Sequence, residues 1–196
     1  MTHLYAGGKH HSIQTRIISL WTTKVRMILT GDEIVRMLEL GDITIDPFSA
    51  ENVNPNSYNY RLGPSCIEIP HDTYIDVRKP PTFSPTILPE SGKLLRPGYL
   101  YLCGTMERIG SERFVTSLIG RSSMGRLGLY LQVSANIGHQ GETHRWTLEL
   151  RCITPIIVYP GMIIGQVTFW ATTGEREGSR GYYAQFDSPK PSRGVE

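Results

Sequence analysis

The spacing of apolar positions along the chain changes character twice. Between Thr30 and Gly41 they recur at helical intervals, with Ile34, Met37 and Leu38 on one stripe. Thr30 is a good N-cap, Glu33 three residues on completes a capping box, and Gly41 supplies a stop, so one helix is expected here. From Ile43-Thr44-Ile45 onward the apolar runs are short or alternate. Cys66 to Ile69, Tyr99 to Leu102, Phe114 to Thr116, Tyr130 to Val133, Thr147 to Cys152, Ile156 to Val158 and Ile163 to Trp170 read as strands, and Gly, Pro or Asn separates most of them. Arg96-Pro97-Gly98 and Tyr159-Pro160-Gly161-Met162 are turns that feed strands. The pattern predicts an all-β sandwich or barrel with a minor helix and no internal repeat.

Composition narrows this to one ordinary domain. The chain has 196 residues, 39% hydrophobic and 19% charged. A net charge of +2 with no basic run gives no ground for nucleic-acid binding. No apolar run approaches the roughly 18 residues needed to cross a membrane. Cys66, Cys103 and Cys152 stand apart and form no C-x-x-C, so neither a disulfide framework nor a zinc knuckle is expected, and the setting reads as reducing and cytoplasmic. Residues 1–26 lack the apolar core and cleavage site of a secretory signal and are expected to form a peripheral extension. A β domain over 27–173 and a tail over 174–196 complete the expected organisation.

The candidate chemistry lies in Gly120-Arg121-Ser122-Ser123-Met124-Gly125-Arg126 and in the apolar strand Trp146-Thr147-Leu148-Glu149-Leu150. Two serine hydroxyls, two planar guanidinium forks and glycines that admit a close ligand suit phosphate oxygens. The segment is not a Walker A loop, because it lacks Gly-Lys-Ser/Thr and a following helix signal. Its bland reading is a Gly/Ser turn with surface arginines. On the strand, Thr147 and Glu149 point one way while Leu148 and Leu150 point the other. A carboxylate so placed is either a solvent-face residue, the commoner case, or one buried for function.

Residues 27–63, 120–135 and 145–170 resemble the dCTP deaminase/dUTPase superfamily, including Pro-Gly-Met-x-Ile-Gly-Gln at 160–166. The resemblance implies a distorted β-barrel or jelly-roll of the dUTPase-like type, assembled as a homotrimer with active sites shared between neighbours. It implies zinc-independent deamination of a cytosine deoxynucleotide, most naturally dCTP, with Mg2+ carried on the substrate phosphates. Glu149 would take a proton from water, the hydroxide would attack C4, and the same carboxyl would deliver protons to N3 and the leaving ammonia. A partly desolvated carboxyl suits that double duty, since desolvation favours its neutral form. Ser122 and Arg126 would hold the water and the tetrahedral intermediate, and the backbone of Ala135 would position the water. Arg121, Ser123, Met124 and Gly125 would hold the nucleotide, Thr147 and Leu148 would read the pyrimidine edge, and His139 would face the sugar. Tyr182, Tyr183 and Gln185 would close the tail over it. Zinc-dependent deamination needs a His/Cys-x-Glu and a Pro-Cys-x-x-Cys element, and the sequence has neither.

The chain departs from the family at Asn59, where the resemblance implies Asp, and in two further places. Gly138-His139 replaces the Ile-Asp pair that activates water against the phosphate chain in dUTPases, which argues for release of the triphosphate intact unless Glu142 or His139 substitutes. Tyr182 stands where the family has a phosphate-holding Lys. The alternatives are therefore a dUTPase or bifunctional enzyme, and a non-catalytic pyrimidine-nucleotide-binding paralogue.

Overall fold

The computed structural model of the chain describes residues 27–69, 71, 74–80, 82–131, 135–174 and 181–195. The expected extension 1–26 lies outside the described residues, as do Gln132 and Val133 of one expected strand.

Helix α1 (Gly31–Glu39) starts and stops where its caps require. Thr30 Oγ1 accepts the Glu33 N–H at 3.4 Å. At the other end Gly41, at φ +78°, turns left-handed, so that Asp42 N–H reaches Met37 O and Gly41 N–H reaches Leu38 O. Ile34 and Met37 are fully buried, contributing roughly 1.5–3 kcal/mol each.

Among the described residues twelve strands follow: β1 (Ile43–Asp46), β2 (Val53–Asn54), β3 (Ser57–Ile69), β4 (Thr86–Ile87), β5 (Lys93–Leu95), β6 (Leu100–Ser111), β7 (Val115–Gly120), β8 (Leu129–Tyr130), β9 (Ile137–Gly138), β10 (Glu142–Cys152), β11 (Ile156–Val158) and β12 (Ile163–Trp170). Helix α2 (Ser122–Arg126) interrupts them between β7 and β8. The main sheet runs β8-β10-β6-β3-β12-β7-β9, with β1 added to β6, and β2 and β4 added to β3; β5 and β11 form a separate pair. Every pairing is antiparallel. Register shifts between Leu62 and Cys66, Arg145 and Thr147, and Ile163 and Gly165 bend the sheet into a curl around Tyr58, Tyr60, Leu118, Leu148 and Phe169. The expected mostly-β architecture with a minor helix is the one found.

Three expectations are corrected. First, β3, β6 and β10 run 13, 12 and 11 residues, well beyond the short apolar runs that announced them. Inward polar residues break the apolar pattern without breaking the strand, because they find partners. Glu107, wholly buried in β6, accepts from Arg61 N at 2.9 Å and Arg61 Nε at 2.6 Å. For the same reason β10 begins at the buried Glu142, ahead of the apolar run that announced it, and β9 precedes it at Ile137–Gly138. Second, Cys66 and Cys103 are joined in a disulfide with their Cα atoms 4.0 Å apart. They lie opposite each other on β3 and β6, yet 37 residues apart in sequence, beyond the reach of any local spacing motif. Cys152 remains a free, buried thiol. The third correction, the helical turn at 122–126, belongs to the site.

The first described residues join the sheet, and the tail docks onto it. Leu29 N–H bonds Phe169 O and Ala171 N–H bonds Met27 O, closing the ends of the domain against β12. Residues 181–190 run along β10, and beyond them Val195 N–H bonds Val77 O at 2.9 Å. Gly181 N–H donates to Glu142 Oε1 at 2.6 Å, Asp187 pairs with Arg108 Nη1 at 2.6 Å and accepts the Arg145 N–H at 3.2 Å, and Lys190 N–H reaches Thr147 Oγ1 at 3.3 Å.

Candidate active site

The Ser-Ser-Met-Gly-Arg segment is a single helical turn rather than the loop read from its glycines. Met124 and Gly125 N–H both bond Arg121 O at 3.0 Å, and no residue between 121 and 127 is β-branched. Gly128, at φ +84°, then turns the chain into β8. Met124 leans on the core, whereas Ser122, Ser123 and Arg126 are exposed and Arg121 is half-buried. An added Cβ at Gly125 would meet nothing within 4 Å, so the chain's own packing does not demand a glycine there.

Strand β8 carries this turn to β10, pairing Tyr130 with Arg151 and Leu129 with Cys152. Glu149 is two residues before Arg151. It lies opposite Leu102 of β6, half-buried, on the outward face it shares with Arg145 and Thr147, while Leu148 and Leu150 are fully buried beneath. The register shift at Trp146 falls just before these residues and sets the aim of Thr147 and Glu149. Trp146 is fixed at both ends, its N–H on Thr105 Oγ1 and its Nε1–H on Ile109 O, each at 2.9 Å. Sequence pattern alone gave no sign of this bulge. Ala135 is exposed.

The other end of β10 has different chemistry. Glu142 is buried and accepts two backbone N–H groups, from Gly181 and, at 3.3 Å, from His139. His139 itself is exposed. Burial pushes the neighbouring His144 imidazole below its ordinary pKa and Arg108 adds to this, while Glu142 and Asp187 oppose it. Among the described residues its Nδ1 finds no hydrogen-bond partner, and its ring lies 4.4 Å from that of Trp146. Tyr182 and Gln185 line a cleft of about 440 Å³ walled by Glu112 and Glu142. Tyr183 turns its hydroxyl to the Arg193 N–H at 3.2 Å.

Within one chain, then, the fold gathers Arg121, Ser122, Ser123, Met124, Gly125 and Arg126 toward the end of β10 that carries Thr147, Leu148 and Glu149. It does not bring His139, Tyr182, Tyr183 or Gln185 there. Glu142 and Glu149 are seven residues apart on β10, which is roughly 23 Å along a strand. Among the described residues no three His, Cys, Asp or Glu side chains are grouped to hold a metal ion. No helix among them is long and apolar enough to cross a membrane.

A curled antiparallel sheet, with a hydroxyl- and guanidinium-bearing turn delivered to a carboxylate strand, defines a domain of the dUTPase-like fold. The solved 2'-deoxycytidine 5'-triphosphate deaminase of Agrobacterium tumefaciens has this fold, with a TM-score of 0.60 at 20% identity over 74% of this chain. The present chain spans 48% of that one. The model of the dCTP deaminase-like family matches residues 28–172, and the chain belongs to that family. Its relatives include "dCTP deaminase, dUMP-forming" from Cytophaga hutchinsonii, 43% identical over 167 residues, covering 85% of this chain and 95% of the relative. Another is "dCTP deaminase" from Rhodopirellula baltica, 40% identical over 149 residues, covering 76% and 74%.

Proposed function

We propose that this chain hydrolyses the C4 amino group of dCTP, giving a uracil deoxynucleotide and ammonia. The observation that carries the proposal is the position of Glu149, half-buried on the outward face of β10 beside the α2–β8 turn, in a chain of the dCTP deaminase-like family. Glu149 accepts a proton from water, and hydroxide adds to C4. The carboxyl returns protons to N3 and to the departing ammonia, so that dCTP and water leave as dUTP and ammonia. General acid–base work of this kind is worth roughly 10²–10⁴ in rate. Ser122 and Arg126 hold the water and the tetrahedral intermediate, with the Ala135 backbone positioning the water. The Thr147–Leu148 backbone reads the pyrimidine, and Arg121, Ser123 and Gly125 hold the phosphates, which bring Mg2+ as part of the substrate.

The working form is a homotrimer with shared sites, in a cytoplasmic setting where nucleoside triphosphates occur. Two features support the trimer. Leu127, Tyr130 and Ile153 expose apolar surface around α2. His139, Tyr182, Tyr183 and Gln185 are too far from Glu149 of their own chain to serve its nucleotide, and a neighbour's site is the alternative. Residues 27–173 are the catalytic unit, 1–26 a peripheral extension, and 174–196 the tail that closes over a site.

Product fate has two readings. Gly138-His139 offers no carboxylate against the phosphate chain, and Glu142 is tied to two backbone N–H groups, so dUTP is the expected product. The name of the Cytophaga relative favours dUMP, which requires loss of diphosphate as well. The test incubates the purified chain with dCTP and magnesium, assays ammonia and pyrophosphate separately, and measures native mass. Ammonia alone from a particle three times the 22.0 kDa chain is expected. Pyrophosphate rising in step with ammonia establishes the second reading, and absence of ammonia defeats both.

A further inference from the structure

The arginines that surround β10 divide into two groups. Arg108 is paired with Asp187, Arg113 with Asp42 at 3.0 Å, and Arg145 Nε–H with Met106 O at 3.1 Å. Arg121, Arg126 and Arg151 bond no carboxylate among the described residues, and the fold collects all three at one end of β10. Arg151 takes the next outward position after Glu149, about 6.6 Å along the strand, and is exposed. Directly across from it is Tyr130, only four residues after Arg126. The backbone bond from Ile153 N–H to Gly128 O, 3.0 Å, fixes the junction between α2 and β8 against the same strand. Three unpaired guanidiniums on so small a surface repel one another, and a polyanion relieves that repulsion.

We infer that Arg151 joins Arg121 as a polyphosphate-binding arginine of this site, and that it makes the site favour a triphosphate over a monophosphate. The inference deepens the reading of the site as a nucleotide site and rests on it for the placement of the base. The opposite end of β10 is closed to a phosphate chain, since Glu112 and Glu142 wall the cleft there. At the Arg151 end, Ser123 offers a hydroxyl, Arg121 offers a fork, and Gly125 leaves open approach to the backbone, while Ser122 and Arg126 face the reacting water. Arg151 extends this row on the far side of Glu149. With the base facing Glu149 and the first phosphate met by α2, a longer chain reaches Arg151, whereas a single phosphate stops short. A planar fork grips two phosphate oxygens at once, which an ammonium cannot do.

Calorimetry on the full chain with dCTP, dCMP and inorganic tripolyphosphate tests this, in wild type, Arg151→Gln and Arg151→Lys. Arg151→Gln is expected to weaken dCTP and tripolyphosphate roughly tenfold or more while leaving dCMP unchanged, and Arg151→Lys to recover part of the loss. Since Arg151 is exposed, the variants are expected to melt with wild type. Unchanged dCTP and tripolyphosphate affinity in Arg151→Gln, an equal loss for dCMP, or a wild type that binds neither polyphosphate overturns the inference. A wild type that binds tripolyphosphate through Arg151 but releases no ammonia from dCTP refutes the deaminase reading and leaves this role standing.

Discussion

Trp146 decides what position 138 can be. A Cβ on Gly138 would run into the Trp146 ring and the Thr116 hydroxyl, so the Gly138 departure from the family is the small partner of a large neighbour. Gly138→Ala is therefore expected to cost about 1–3 kcal/mol, as overpacked cores do, read as a lower urea midpoint at unchanged slope. An unchanged midpoint would show that the Trp146 packing is looser than described. Two glutamates on β10 mark what single residues reveal in sequence. Glu149 could be singled out because it interrupts an apolar strand. The anchoring role of Glu142 could not, because the Gly181 N–H that occupies it comes from 39 residues away.

Elements were legible where their signals are local. The caps of α1 and the Pro-Gly turns before β6 and β12 satisfy or redirect their own backbone, so a few residues suffice to announce them. Strand lengths were not, since β6 continues through Glu107 only because Arg61 of β3 meets it. The Cys66–Cys103 bond depends in the same way on the β3–β6 register. At the start of β10, buried His144 makes a test of this packing. Its folded pKa lies below the ordinary value of about 6.5. Between the folded and ordinary values the unfolded chain binds more protons, so stability is complete above about 6.5 and falls as pH drops below it. The melting temperature is expected to decline from pH 7.5 toward 5, and His144→Gln to flatten that decline. An equally steep decline in the variant would assign the pH dependence to other groups.

At the scale of the whole molecule, periodicity carried the all-β class and the resemblance its dUTPase-like type. Periodicity predicts many strands but cannot order them, and the order β8-β10-β6-β3-β12-β7-β9 is what brings α2 to the Glu149 end of β10. The docking of the tail was invisible for the same reason. Its contacts with Glu142, Arg108 and Thr147 join chain segments that share no local pattern. The curled sheet thus yields one end of β10 rich in hydroxyls and guanidiniums around Glu149, and another where Glu142 holds the backbone of the tail and Asp187 of the tail pairs with Arg108. Function follows from the first end, and the measurement that tests it most directly is ammonia release from dCTP by wild type and Glu149→Gln, with dCTP affinity determined on the same preparations. The amide keeps the shape of the carboxylate and loses its proton chemistry. Wild type should release ammonia, and the variant should bind dCTP nearly as well while deaminating at least about a hundredfold more slowly. A Glu149→Gln protein that deaminates dCTP within tenfold of wild type would contradict the assignment of Glu149 as the base.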